Sequence, residues 1–207
     1  MAVRSRDSAG RAAAKAGRPP VKERLLSVAT RLFARHGFEG TSVQDIVDAA
    51  GVTKGAMYHY YGSKDDLLYE VYHQLLTMQT AHLDEIAAGP GTAEERLRAA
   101  AADVVQTSLD NLDDMIVFFR SLHMLPEDKQ AQVRTERRLY QDKFKGLVEE
   151  GVAAGTFRAD ISADIVVHYF LSVVNQLGSW FKPDGSLSPS QVGDLFTELL
   201  IGGLAVR

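Results

Sequence analysis

The chain has 207 residues, 45% of them hydrophobic, a net charge of −4 and no cysteine. This length and composition can bury a sizeable core, which excludes a wholly disordered protein. The lack of cysteine excludes disulfides and thiolate metal sites, and it favours a cytoplasmic location. No apolar run reaches the ~20 residues that span a bilayer, and no signal peptide is present, so we expect no membrane partner.

The charge is distributed unevenly along the chain. Residues 1–75 carry 11 Lys and Arg against 8 Asp and Glu, whereas the remainder carries 12 against 19. Basic charge concentrated at the N-terminal end favours contact with a polyanion such as DNA. Residues 1–19 show no apolar periodicity, so we expect a disordered basic arm there. This arm either contacts DNA through Arg11, Lys15 and Arg18 or remains a solvated tail.

A first helix is predicted after Pro19-Pro20, because proline suits the start of a helix and not its interior. Apolar residues recur at helical spacing as far as Phe33, and Gly37 ends the helix. Lys22, near the helix start, is placed to contact a phosphate.

The stretch from Thr41 to Lys64 predicts two short helices joined by a tight turn. Ser42 and Asp45 have the spacing of a capping box, and the helix that they begin ends at Gly51. Thr53 can cap the second helix, over residues 54–60, and another capping box follows from Ser63. Two short helices around a glycine turn are typical of the helix-turn-helix, whose second helix enters the major groove of DNA.

The second helix of this pair exposes residue types that suit DNA better than packing. Lysine, tyrosine and histidine side chains can reach phosphate oxygens, and a tyrosine ring can contact a thymine methyl. A glycine in the same helix would allow close approach to the duplex. The predicted DNA-binding residues are Lys22, Thr41, Ser42, Thr53, Lys54, Gly55, Tyr58, His59, Tyr60 and Lys64.

The run from Leu25 to Leu68 resembles the DNA-binding domain of the TetR family of bacterial transcriptional regulators. It carries the pattern AxxLFxxxGFxxTSVxDIxxAAGVxKGxxYxYxxSKxxL. Tyr61 departs from the family, which usually has Phe or another apolar residue there, but we expect it to pack. The resemblance implies a dimeric repressor with a variable ligand-binding domain behind the DNA-binding head. Its expected partners are an operator in double-stranded DNA, a small-molecule effector and a second copy of the chain.

The remaining sequence predicts further helices and no strand. We expect an all-α fold of about nine helices, with a helix-turn-helix domain over 20–66 and a ligand-binding and dimerisation domain over 67–207. The predicted helices include a long one over 64–87, an almost wholly apolar one over 113–124, and two C-terminal ones over 163–181 and 189–206. The two C-terminal helices, joined by a short turn, are expected to pair with their copies in a four-helix interface. The interface residues are predicted to be Tyr169, Val173, Trp180, Leu195, Phe196, Leu199 and Leu200.

Aromatic and methionine side chains of the second domain could bind an apolar effector or simply form the core. Four polar residues, Arg120, His123, His168 and Asn175, fall within apolar runs and could bind a ligand or one another. The predicted ligand-binding residues are Met115, Phe118, Phe119, Arg120, His123, Met124, Tyr140, Phe144, His168 and Asn175.

A weaker resemblance concerns the effector class. The segments Gly155–Asp160, Trp180–Pro183 and Gly185–Ser188, with Asn175, are similar to TetR-type regulators of lipid, steroid or aromatic-acid degradation that respond to acyl-CoA thioesters. Arg137, Lys143 and Lys145 could serve such a ligand or be ordinary surface. The alternatives are a sensor of hydrophobic drugs and an effector-free DNA-binding dimer.

An enzyme is not expected, because no phosphate loop, nucleophile elbow or zinc-protease motif occurs. Glu70 and His73 have the spacing for one metal on a helix, but the second such pair that a di-iron bundle needs is absent. We therefore expect no cofactor and no metal.

Overall fold

The computed structural model describes residues 19–206, so the predicted basic arm over 1–19 lies outside the described residues except for Pro19. Regular structure in the described part is helical, apart from one isolated bridge between Phe157 and Ala205. Within residues 19–206, nine helices exceed a single turn. They are α1 (Val21–His36), α2 (Val43–Ala50), α3 (Lys54–Tyr60), α4 (Lys64–Ala88), α5 (Ala93–Asp110), α6 (Leu112–Ser121), α7 (Glu127–Ala153), α8 (Ala163–Asn175) and α9 (Pro189–Leu204). The predicted all-α fold is confirmed.

Local chemistry explains most helix boundaries. The Ser42 hydroxyl accepts a hydrogen bond from the Asp45 amide, and the Asp45 carboxylate accepts one from the Ser42 amide, which completes the predicted capping box. Thr92 and Glu95 form the same arrangement before α5. Gly51 ends α2 in the left-handed conformation, with φ of 63°, which costs glycine no steric strain.

Two predicted helices end earlier than expected. The apolar helix over 113–124 becomes α6 followed by a 3₁₀ turn, Leu122–Met124. The helix predicted over 163–181 stops at Asn175, and a separate helical turn, Leu177–Trp180, follows it. In this turn Gly178 lies against the α6 backbone, where a Cβ at Gly178 would come within 3.2 Å of the Ile116 nitrogen.

The hydrophobic core forms two clusters. The first joins α1, α2 and α3 to the N-terminal half of α4, to α6 and to the start of α7. The second fills the space between the rest of α4 and the helices α5, α7, α8 and α9. Helix α6 therefore packs on α1, so the apolar core continues past residue 66.

Helix α7 runs beside α4 in the same direction, and polar contacts join the two along most of their length. Lys129 pairs with Asp66 at the first turn of α4. About two turns further on, the Glu136 carboxylate lies 3.0 Å from His73 Nδ1 and accepts a hydrogen bond from the Tyr69 hydroxyl. Nearer the end of α4, a third contact joins Lys143 of α7 to Asp84.

Candidate DNA-binding surface and ligand cavity

One face of helix α3 packs against the rest of the DNA-binding head, and the opposite face is open to solvent. Met57 is fully buried, and Tyr61 directly after the helix is 4% exposed. The Tyr61 hydroxyl donates to the Lys22 carbonyl oxygen at 3.2 Å, and burial raises the pKa of Tyr61 to about 12. The predicted packing of Tyr61 is therefore confirmed, with a backbone carbonyl as the partner of its hydroxyl.

Most of the predicted DNA-binding residues lie together on the open face of α3. Tyr58 and Tyr60 are 51% and 45% exposed, which is unusual for side chains of this size. A Cβ at Gly55 would meet only the Thr53 hydroxyl, at 3.8 Å, so packing within the chain does not require glycine there. The exposed members of this surface are Thr53, Lys54, Gly55, Tyr58, His59 and Tyr60.

Two predicted DNA-binding residues, Lys64 and Thr41, are corrected, because their side chains serve the loop between α1 and α2. The Lys64 ammonium donates to the carbonyl oxygens of Phe38 at 2.8 Å and Thr41 at 2.9 Å, and it lies 4.1 Å from the centre of the Phe38 ring. Thr41 is 1% exposed, and its hydroxyl donates to the Gly37 carbonyl oxygen at 2.8 Å. Both side chains are thereby engaged inside the head, where they fix the entry to α2.

The other two predicted contacts stay at the surface. Lys22 is half exposed and its ammonium lies 3.4 Å from a Glu70 carboxylate oxygen, so it would have to leave that partner to bind phosphate. Ser42 is exposed, but its hydroxyl is engaged by Asp45 in the capping box. Their roles on DNA stay predictions.

A small cavity, partly open to solvent, lies in the second domain between α4, α5, α6, α7 and α8. Its volume is about 30 Å³, room for a water molecule or two. Apolar walls alternate with polar groups around it. The lining residues are Leu76, Gln79, Val104, Ser108, Phe118, Arg137, Tyr140, Gln141, Leu171, Val174 and Asn175.

Three predicted ligand residues, Phe118, Tyr140 and Asn175, line this cavity. Met115 and Phe144 are buried in the two core clusters, and Phe144 stacks on Phe170 with ring centres 5.6 Å apart. They are core residues that do not line the cavity. Met124 is partly buried against the first cluster.

Four other predicted ligand residues are corrected, because they face outward. Phe119 is 51% exposed, and Arg120 and His123 are exposed beside it. Helix α6 buries Met115, Val117 and Phe118 on one side, and its opposite side faces away from the cavity. His168 is exposed on α8 and lines a separate surface cleft with Arg138 and Lys145.

Three polar residues of the cavity, Gln79, Ser108 and Gln141, are not among the predicted ligand-binding residues. Gln79 is 6% exposed and donates to the hydroxyls of Thr107 and Ser108, at 3.4 and 3.3 Å. Arg137 is predicted only as one of three basic residues that could serve an acyl-CoA ligand. A usable signal existed, because Arg137 falls between Val133 and Tyr140 on the buried stripe of α7, four residues after one and three before the other.

The predicted dimer face carries exposed apolar side chains on α8, on α9 and in the turn between them. Tyr169 is 67% exposed, Leu195 is 52% exposed and Leu199 is 71% exposed. Val173 and Trp180 are also exposed, and Phe196 is partly buried beneath Trp180, with ring centres 6.2 Å apart. Leu200 is corrected, because it is 5% exposed and packs in the core of its own chain.

The suggested metal pair does not converge on one point. His73 contacts Glu136, whereas Glu70 pairs with Lys22. Across residues 19–206, no three His, Asp or Glu side chains are grouped closely enough to hold a metal ion. None of the helices in this range has the length and apolar character to cross a membrane.

Asp114, in the first turn of α6, borders an open cleft of about 640 Å³ between α1 and α6. Burial raises the pKa of this carboxyl from 3.8 to about 6, and the nearby charge of Asp113 adds to the effect. The folded chain therefore holds the Asp114 proton more tightly than the unfolded chain does. Stability from this group is fully present below pH 4 and falls as the pH rises to 6.

We therefore expect Asp114→Asn to stabilise the protein at pH 7.5, by at most ~3 kcal/mol for a shift of about two pH units. Thermal unfolding at several pH values measures this effect, and the gain should disappear at pH 4. Asp184→Asn, at an exposed turn position, is the matched control and should change little at any pH. An equal gain at pH 4 and pH 7.5 would contradict the assignment to ionisation.

Comparison with known proteins places both halves of the chain in one family. Residues 25–71 match the model described as bacterial regulatory proteins, tetR family. Residues 90–204 match the model described as tetracyclin repressor-like, C-terminal domain.

Individual relatives cover almost the whole chain. The HTH-type transcriptional repressor KstR2 of Mycolicibacterium smegmatis is 29% identical, over 88% of this chain and 90% of its own length. The structure of the ketosteroid transcriptional regulator KstR2 of Mycobacterium tuberculosis has a TM-score of 0.83 at 22% identity, covering 92% of this chain and 97% of that one. The structure of AibR in complex with isovaleryl coenzyme A and operator DNA has a TM-score of 0.79 at 23% identity, with 88% and 98% covered.

Proposed function

Because the chain belongs to the TetR family of bacterial regulatory proteins, we propose that it is a dimeric transcriptional repressor that binds a palindromic operator and leaves it when a small effector binds. The observation that carries this proposal is the open face of α3. Six neighbouring residues suited to phosphates and base edges are exposed there, on a helix anchored through Met57 and followed by the anchored Tyr61. Two such helices in a dimer would enter successive major grooves ~34–36 Å apart.

The dimer would form through the exposed apolar side chains of α8 and α9. Large exposed apolar side chains are typical of protein interfaces, and a two-fold dimer uses the same face on both copies. The exposure of Tyr169, Leu195 and Leu199 supports this assignment.

The effector would bind at the cavity between α4 and α8, whose walls would have to separate, because its volume of about 30 Å³ admits only a water molecule or two. Acyl-CoA thioesters of lipid, steroid or aromatic-acid breakdown are the proposed class. The names of the relatives support it, since one is a ketosteroid regulator and another was crystallised with isovaleryl coenzyme A. The effector would favour a different separation of the two heads, and a coupling of ~1–3 kcal/mol would weaken operator binding roughly 5–150-fold.

The Tyr58→Ala variant tests the DNA-binding part of the proposal. Operator DNA is first selected from random sequence with the wild-type protein, and affinities are then measured by fluorescence anisotropy. Loss of one exposed aromatic contact should weaken operator binding by about tenfold, equivalent to ~1.4 kcal/mol. The fold should be unchanged, because Tyr58 is half exposed and belongs to neither core cluster.

Leu139→Ala on α7 is the matched control, since Leu139 is 54% exposed and lies far along the chain from the head. It should bind operator like the wild type. Equal affinities for Tyr58→Ala and the wild type would remove Tyr58 from the DNA contact. If the wild-type protein selected no DNA sequence, the proposal that it is a repressor would be contradicted.

A further inference from the structure

The Arg137 side chain lies in the wall of the cavity without an anionic partner. Its guanidinium carbon sits 5.2 Å from the centre of the Phe118 ring. Within the described part of the chain it forms no ion pair and no hydrogen bond. The lysines of the same helix differ, because Lys129, Lys143 and Lys145 each pair with an aspartate.

Two carboxylates close to the cavity are directed to other partners, and neither belongs to its wall. Glu136, the preceding residue, accepts a hydrogen bond from Tyr69 and contacts His73 through Oε1, and its Oε2 is buried without a partner among residues 19–206. Asp103 of α5 contacts His82 at 3.1 Å. The cavity therefore contains a cation whose charge is balanced by no carboxylate in its wall.

This arrangement is costly for the folded chain. A charge partly withdrawn from water is destabilising unless it is paired, and the Phe118 ring compensates only in part. Burial accordingly lowers the pKa of Arg137 from its usual value. An anion that reached the guanidinium would supply the ion pair that the folded chain lacks.

The rest of the wall defines the molecule that could supply this anion. Leu76, Val104, Leu171 and Val174 present apolar surface, and Gln79 and Asn175 present neutral polar groups. The Tyr140 hydroxyl is without a hydrogen-bond partner in the same part of the chain. Such a lining suits an apolar body that carries an anionic oxygen group.

We propose that the effector carries a carboxylate or phosphate group that pairs with Arg137. Pairing would move the guanidinium away from the Phe118 ring. This inference rests on the proposed function, because it concerns the ligand of the same cavity. Phe118 belongs to α6, and its carbonyl oxygen accepts a hydrogen bond from Tyr72 of α4 at 3.1 Å. A ligand that engages Arg137 thus acts directly on the contact between α7 and α6.

The experiment uses a panel of apolar bodies, namely straight-chain, branched, aromatic and fused-ring. Each body is offered as the free carboxylic acid, the primary amide and the CoA thioester, with CoA alone as a further arm. Calorimetry measures binding to the full-length protein, and anisotropy measures release of the selected operator. The variants are Arg137→Met and the control Arg138→Gln, which changes the adjacent, exposed arginine outside the cavity.

We expect at least one anionic member to bind the wild type, with its amide at least about tenfold weaker. Arg137→Met should lose about 10–100-fold in affinity for that member and keep its affinity for the amide, whereas Arg138→Gln should match the wild type. Binding of the free acid identifies a carboxylate, and binding of the thioester or CoA alone identifies a phosphate. Arg137→Met should unfold at the same temperature as the wild type or higher, which separates lost pairing from misfolding.

Equal binding of acid and amide, or unchanged binding by Arg137→Met, would overturn the inference. So would failure of the whole panel to bind. In that case, operator binding in the same assay would show that the DNA-binding part of the proposed function stands without it.

Discussion

Leu199→Arg is expected to be a folded monomer that binds operator DNA at least about a hundredfold more weakly than the wild type, because the two half-sites are no longer bound by linked heads. Leu199 is 71% exposed on α9, so the substitution costs the isolated chain little. In the proposed dimer it would place two arginines in an apolar contact with no anion facing them, which is strongly unfavourable. Analytical ultracentrifugation measures the mass, and anisotropy the affinity.

Leu139→Arg is the control for this variant, because it makes the same change at an exposed leucine of α7 outside the proposed interface. It should remain a dimer with wild-type affinity. A dimeric Leu199→Arg protein would exclude this face of α9 from the interface. Leu200→Arg would answer a different question, since Leu200 is buried and its loss would disturb the fold.

Gly151→Ala is expected to destabilise the protein by about 2 kcal/mol, a typical cost of overpacking a core. A Cβ at Gly151 would lie 2.1 Å from Cδ2 and 2.2 Å from Cε2 of the Phe157 ring, which is 2% exposed and cannot swing into solvent. The displaced segment also holds the chain end, because the Arg158 amide donates to the Leu204 carbonyl oxygen at 2.9 Å. Thermal unfolding should show a midpoint lower by roughly 4–8 °C for a domain of this size.

Gly146→Ala provides the matched control on the same helix. Gly146 is exposed and a Cβ there would meet no atom within 4 Å, so alanine should stabilise by ~0.5–1 kcal/mol through helix propensity. If Gly151→Ala lowers the stability and Gly146→Ala raises it, the loss in Gly151→Ala is due to the clash with Phe157. A stabilising Gly151→Ala would mean that the ring relaxes without loss.

The helices and the head could be predicted because their signals are local. Ser42 and Asp45 are three residues apart, and Met57 and Tyr61 are four apart, so the cap and the buried face of the head follow from spacing alone. The same locality explains why the exposed face of α3 was recognised. Once the buried residues of a short helix are assigned, its remaining side chains must face outward.

Long-range partners account for most of the errors. Lys64 and the Phe38 carbonyl that it binds are separated by 26 residues, and no spacing rule identifies a loop carbonyl as the partner of a lysine. The two leucines at 199 and 200 are equally apolar, so only packing distinguishes the outer one from the inner one. Helix α6 is apolar on nearly every side, which left the orientation of Phe119 and Arg120 undetermined until its neighbours were known.

The polar contacts between α4 and α7 restrict how the head can be displaced. Asp66, His73 and Asp84 are held by residues of α7 at regular seven-residue intervals, Lys129, Glu136 and Lys143. Sliding one helix past the other would break all three contacts at once, whereas tilting both together breaks none. We therefore expect α4 and α7 to move as one unit. A small tilt of this pair at the cavity end would displace α3 along with it.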